Sequence, residues 1–398
     1  MGGESKMILT AKQEEGLRIA VARYKSKEKY TCISGFAGSG KSTLIKFIIK
    51  ALPVNPSFDV AYATFTGKAA QVLRQKGCPN AMTLHKLLYQ SVPLPNGKFI
   101  FTPRPSIEYK IVVVDEVSMV SQELWDLLMS YNVYILACGD PGQLSPISKE
   151  GNCDILKRPH VFLDEIMRQA QESEIIRLSM DIREGRSINY YKGKEIQIIP
   201  QSEVIDGMFT WADQIITATN KMRCMINTKM RAAANRSPIP EIGDKIICGR
   251  NCWSILDTLG LDALVNGTIG YISDIVEENY RYNHYQLSKP VPLYFTSIET
   301  DYGDEFINIP IDKTYILTGK KFLTSEQEYV FYKSKKLQEE PRPIEFDFGY
   351  AITCHRAQGS QWDKILIFEE NFPFDKEEHR RWLYTAVTRA ADRVVLVR

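Results

Sequence analysis

A lysine and a serine at the end of a glycine-rich run are a chain's usual means of handling phosphate. Gly35-Phe36-Ala37-Gly38-Ser39-Gly40-Lys41-Ser42 carries them in the spacing G-x-x-x-x-G-K-[ST]. Glycines let the backbone curl until consecutive N–H groups converge on one anion, and a following helix adds the positive end of its dipole. Gly38, Ser39, Gly40, Lys41, Ser42 and Thr43 supply those groups. Lys41 would reach the β- and γ-phosphates, and the Ser42 hydroxyl would ligate Mg²⁺. The loop predicts a bound nucleoside triphosphate.

Paired carboxylates come next. Ile111-Val112-Val113-Val114 is too apolar and β-branched for a solvated loop, and it delivers Asp115 and Glu116 at its end. Asp115 would hold the metal, and Glu116 would orient and deprotonate an attacking water. Gln143 follows the buried run Val133–Cys138, where an amide could sense the γ-phosphate, although Pro141-Gly142 and Ser145-Pro146 are also ordinary turn dipeptides. Gln13, three residues after Thr10, fits either a capping box or an amide reading the adenine edge.

These residues need a scaffold that presents strand ends side by side. The phosphate loop lies between the strand Tyr30–Ile33 and the helical run Thr43–Lys50, and two more buried strands, Val60–Ala63 and Val133–Cys138, each run into polar residues. That is an open α/β sheet with its ligands at the carboxyl ends of the strands. Thr64-Phe65-Thr66 with Lys68, and His85 in Thr83-Leu84-His85, occupy such ends, although helix caps with a solvated lysine would read the same way. A helical stretch is expected from Leu163 to Gly185, a second parallel sheet from Gln214, and a charged exit linker from Lys333 to Pro343. Asn96-Gly97 between two short extended arms predicts a hairpin, with Phe99 and Phe101 two residues apart. It would be either a covering flap or a pin that stacks on bases.

Fifty basic against forty-eight acidic residues leave a net charge of +2, so any nucleic-acid contact must be a local track. The eight cysteines are scattered and the five histidines lack ligand spacing, which predicts reduced thiols. No apolar run is long enough to span a bilayer, and no membrane partner is expected.

In order, these stretches resemble the motifs of superfamily I helicases, in the RecD-like branch and closest to its compact phage form. Gln13 falls at the Q motif, GFAGSGKS at motif I, TFTGKAA at Ia, TLHKLL at Ib and VVVDEVSM at II. GDPGQLSPI resembles motif III, LDEIMRQ motif IV, AITCHRAQGSQWD motif V and YTAVTRAADRVVLV motif VI. Phe65 stands where motif Ia usually has proline. The resemblance implies an α/β fold of two RecA-like domains in tandem: 1–90 with 111–162, and 163–240 with 347–398. A pin would be inserted at 91–110 and an SH3-like barrel at 241–346.

It further implies ATP and Mg²⁺ as cofactors, Arg168 and Arg389 as arginine fingers, and Gln358 and Gly359 beside the nucleotide. Thr64, Phe65, Thr66, Lys68, His85, Thr353 and His355 would contact nucleic acid, with Phe99 and Phe101 on the pin. The activity implied is an ATP-dependent DNA helicase moving 5′→3′ on single strands and opening forked or tailed duplexes. Opposite polarity, RNA, or an ATP-gated clamp without unwinding are the alternatives. A cytoplasmic monomer is expected, with a single-strand-binding or replication protein as a further partner.

Overall fold

The computed structural model describes residues 9–93, 99–144, 153–167, 172–258, 263–301, 303–334, 337, 340–370 and 375–398. Its first lobe is a six-stranded parallel sheet in the spatial order Ala81–Thr83, Val60–Thr64, Ile111–Val114, Tyr134–Gly139, Tyr30–Gly35, Val161–Leu163. The strand Ile111–Val114 is buried throughout because both faces are covered. Ile111 and Val113 pack under the helices Ala11–Lys25 and Lys41–Ala51, and Val112 and Val114 under Leu84–Leu88 and Gln122–Ser130. Glycine loop, Thr64, Thr83, Asp115 and Asp140 all fall at the carboxyl edge of this sheet.

The second lobe repeats the plan in the order Ala351–Thr353, Gln214–Thr217, Trp362–Phe368, Ala390–Val397, Ile196–Ile199, Tyr191–Lys192. All pairs are parallel except the last. Between its halves lies an antiparallel sheet, Glu305–Asp312, Val291–Thr300, Ile269–Tyr280, Lys245–Cys248, Phe346–Phe348, around a separate apolar cluster. A single bridge from Ile311 to Ile344 curls its far edge back towards the strand Phe346–Phe348.

Several boundaries differ from the sequence expectation. Leu163 ends a strand paired with Tyr30–Gly35, so it belongs to the first sheet, and among the described residues the helix after it is Glu174–Arg183. Apolar residues at helical spacing do not distinguish a short buried strand from a helix. The stretch expected to be an exit linker is partly packed: Leu337 is buried beside Leu287 and Phe331, and the Pro341 carbonyl accepts from the Tyr282 hydroxyl. The last helix ends at Val387, because Ala390 already pairs with Trp362, and Arg389 sits on the turn between them. Asn96 and Gly97 lie outside the described residues, but the arms of their hairpin pair antiparallel from Tyr89↔Pro103 to Pro93↔Phe99. Among the described residues no helix is long and apolar enough to cross a membrane.

Candidate nucleotide site

Gly38 and Gly40 have φ of +76° and +80°, the left-handed conformation that turns loop N–H groups inward. A Cβ at Gly40 would collide with Gln13 Nε2 and stand 2.5 Å from Met167 Sδ, so a side chain there would have to push both aside and adopt a left-handed φ as well. Lys41 opens the helix Lys41–Ala51, and its Nζ donates to the carbonyls of Gly35 (2.8 Å) and Phe36 (3.0 Å). Ser42 is exposed on the same turn, with Thr43 beside it.

Gln13 is buried against this loop. Both halves of its capping box with Thr10 are formed, and its Nε2 lies 3.4 Å from the carbonyls of Ser39 and Gly40. The amide thus braces the loop while capping its own helix.

Asp115 Oδ1 accepts from the Glu116 N–H (3.0 Å) and from Cys138 Sγ (3.2 Å). A hydroxyl from Ser42 and a carboxylate from Asp115 are the hard oxygen donors that Mg²⁺ takes, so the residues present fit that ion. Glu116 has φ +54° and ψ +45°. A non-glycine residue held there costs about 1–3 kcal/mol. Its Oε1 lies 3.4 Å from Gln143 Nε2 and 3.7 Å from Arg389 Nη1. Burial holds the Glu116 carboxyl above its ordinary range, opposed by the Arg389 charge and reinforced by Asp115. Glu116 Oε2, Gln143 Oε1 and Ser39 Oγ are buried without a hydrogen-bond partner among the described residues.

Arg389 is buried at the end of the helix Lys376–Val387, its Nε donating to the Thr385 carbonyl (3.1 Å) and its Nη1 3.4 Å from the Ser360 carbonyl. Gln358 is buried and donates to the Leu144 carbonyl across the lobes (2.7 Å). A Cβ at Gly359, with φ +72°, would meet Thr66 Oγ1 at 2.9 Å, so the two lobes touch there. Arg168 lies outside the described residues.

The expected nucleic-acid residues other than Phe99 and Phe101 fall on three strand-to-helix turns, two in the first lobe and one in the second. In the first lobe Thr64 Oγ1 donates to the Thr66 carbonyl, Thr66 caps the helix Gly67–Gln75 that carries Lys68, and Phe65 meets His85 edge-on at 6.0 Å. In the second, Thr353 precedes the short helix Cys354–Ala357, which holds His355. Burial pushes both histidines below their ordinary pKa. Phe99 and Phe101 are on the second arm of the hairpin.

Sequence reasoning gave no role to Tyr384, Thr385 or Asp140. The Tyr384 hydroxyl accepts from the Ala37 N–H (2.9 Å) and donates to Asp140 Oδ2 (2.6 Å), and Thr385 Oγ1 accepts from the Leu144 N–H (2.8 Å). One signal was available: Gly139-Asp140 ends a buried strand just as Val114-Asp115 does.

Residues 9–201 match the AAA domain family, and residues 348–397 match the UvrD-like helicase C-terminal domain. The chain is similar to the ATP-dependent RecD2 DNA helicase of Deinococcus radiodurans, with 25% identity over 98% of this chain and 50% of that protein. It is also similar to the ATP-dependent DNA helicase dda of Enterobacteria phage T4, with 27% identity over 45% of this chain and 43% of the phage protein. It spans half or less of the length of these curated relatives. Its fold is that of the Pif1 helicase from Bacteroides crystallised with ADP-AlF3 and ssDNA, at TM-score 0.53 and 17% identity, over 98% of this chain and 92% of that one. The two parallel-sheet lobes are therefore RecA-like domains in tandem.

Proposed function

We propose that this chain, whose motifs, matched domains and fold are those of superfamily I helicases of the RecD, Pif1 and Dda type, is an ATP-dependent DNA helicase. In this reading it moves 5′→3′ along single-stranded DNA and opens duplex ahead of it. The observation that supports the reading best is the surround of Glu116. Its carboxylate has Gln143 of its own lobe at 3.4 Å and Arg389 of the other lobe at 3.7 Å. An arginine delivered from a second lobe makes hydrolysis depend on how the lobes meet, as a motor requires and a static clamp does not.

The glycine loop and Lys41 hold the phosphates, and Gln13 braces the loop from below. Mg²⁺, held by Ser42 and Asp115, would neutralise phosphate charge. Glu116 takes the proton of the attacking water. Gln143 and Arg389 supply the polar partners that polarise the γ-phosphate, and Arg168 is assigned a second finger by its motif alone. Polar ligand atoms bound here would partner Glu116 Oε2 and Gln143 Oε1. Thr64, Phe65, Thr66, Lys68, His85, Thr353 and His355 form the strand track on both lobes, and Phe99 and Phe101 arm the pin. Contacts to phosphate and stacking on base faces suit a motor that ignores sequence. Polarity and the preference for DNA rest on the family resemblance and on the names of the relatives.

The test is unwinding of duplexes bearing a 5′ or a 3′ single-stranded tail, with ATP and Mg²⁺, beside ATPase stimulation by DNA and by RNA. Opening of the 5′-tailed duplex alone, with DNA the better stimulant, is expected. In Lys41→Ala, stimulated hydrolysis should vanish, and hydrolysis at the parental rate would remove the site assignment.

A further inference from the structure

We propose that Tyr384 is a positioning residue that ties the glycine loop and the Gln143 turn to the second lobe, an inference that rests on the nucleotide-site reading above. Tyr384 lies on the helix Lys376–Val387 and is 1% exposed. Its hydroxyl is used in both directions, towards two segments of the first lobe. It accepts from the Ala37 N–H, four residues ahead of Lys41, and donates to Asp140 Oδ2. Asp140 is itself buried, and its other oxygen accepts from the Gly142 N–H at 2.8 Å. A buried carboxylate is costly unless hydrogen-bonded, so the tyrosine hydroxyl supplies a bond the first lobe does not make here. Burial, then the Asp140 charge, pushes the phenol pKa well up, which keeps the donating proton in place.

The adjoining residue completes the grip. Thr385 Oγ1 takes the Leu144 N–H and Gln358 takes the Leu144 carbonyl, while the Leu144 side chain packs in the apolar core of the second lobe. The turn Asp140–Leu144 leaves a strand of the first lobe yet is held at both ends by the second. Gln143, which points its amide at Glu116, lies inside that turn. Gly142 leaves room for this approach, since a Cβ there would stand 3.1 Å from Tyr384 Cε1. While these bonds hold, a shift of the second lobe carries Gln143 relative to Glu116 and pulls on the loop at Ala37. Phosphate affinity stays with groups of the first lobe, and the catalytic arrangement is set by the second.

The experiment is steady-state ATP hydrolysis by the full chain with saturating single-stranded DNA. Tyr384→Phe, which removes one oxygen and keeps the ring, should lower kcat about 10- to 100-fold, the size of one hydrogen bond to a charged group. KM for ATP should stay within about twofold, because an interaction confined to the catalytic arrangement affects kcat rather than uniform binding. Asp140→Asn should do the same, and the double variant should be no slower than the slower single one, as for residues acting as a unit. If Tyr384→Phe does not fold, Thr385→Val takes its place with the same expectation. Unchanged kcat, a rise in KM alone, or single effects that multiply in the double variant would each overturn the proposal. Lys41→Ala, run alongside, separates the two ideas. Survival of hydrolysis in it defeats the site reading, whereas its loss together with an unaffected Tyr384→Phe defeats only the tyrosine link.

Discussion

The second lobe has two joints, built from different chemistry. Its seam with the first lobe carries single hydrogen bonds, Tyr384 to Ala37 and Asp140, Thr385 and Gln358 to Leu144, beside the Leu144 side chain in the second lobe's core, the Arg183 guanidinium 3.9 Å over the Phe36 ring, and Arg389 and Glu116 at a loose 3.7 Å. Its joint with the antiparallel sheet is made of buried ion pairs. Along the helix Asn220–Ala233, Arg223, Asn227 and Arg231 recur every fourth residue on one buried face. Arg231 grips Asp244 through two nitrogens, at 3.0 and 2.9 Å, and Tyr350 donates to the same carboxylate. Asp347 is shared by Arg223 (3.0 Å) and Arg356 (2.6 Å), and Asn227 bonds the backbone of Phe348 and Ala351. The seam can open bond by bond without stranding a charge from a bidentate pair. The ion-paired joint cannot, so movement is expected at the seam rather than between the antiparallel sheet and the second lobe.

The largest way to break this contrast lies in the seam. Arg389→Ala should lower DNA-stimulated kcat by about 10³–10⁵, the range seen when an arginine finger is lost. The acid side of the pH–rate profile sharpens the assignment. Glu116 is already raised above its ordinary 4.5 by burial, and Arg389 is the main charge opposing that rise. In residual activity of Arg389→Ala the acid limb should therefore move to higher pH, and a limb that stays put would detach Glu116 from the arginine. In the outer joint the expected loss is stability. Arg231→Ala leaves Asp244 buried with a missing partner and should cost about 3–5 kcal/mol in denaturant unfolding. A change below about 1 kcal/mol would mean the joint is solvated and free to move.

The smallest effect is acid sensitivity. His355 is held below its ordinary 6.5 by burial. As pH falls through 6.5 the unfolded chain takes up a proton that the folded chain refuses, so stability is full above 6.5 and declines below it. His355→Gln should flatten unfolding free energy against pH between about 7 and 5.5, and an unchanged slope would show that the ring is solvated.

The glycine loop, the buried strand and the capping pair were legible because each motif is short and its demands are local. Glycines at Gly38 and Gly40, β-branched residues at Ile111–Val114 and the Thr10–Gln13 pair can be read without knowing what lies across the fold. What escaped depends on residues distant in sequence. The stripe Arg223, Asn227, Arg231 reads as a solvated helix face until Asp244 and Asp347 are brought against it. Tyr384 looks like an apolar helix residue until Ala37, 347 positions earlier, meets its hydroxyl. Leu163 reads as helical for the same reason, since only its pairing with Gly35 makes it a strand.

The backbone of Glu116 carries one more consequence. A glycine at that position would sit in its left-handed conformation without strain, so the substitution that best relaxes the chain there also deletes the carboxylate proposed as the base. Selection for heat tolerance alone would favour losing that carboxylate, and only selection for turnover would keep it.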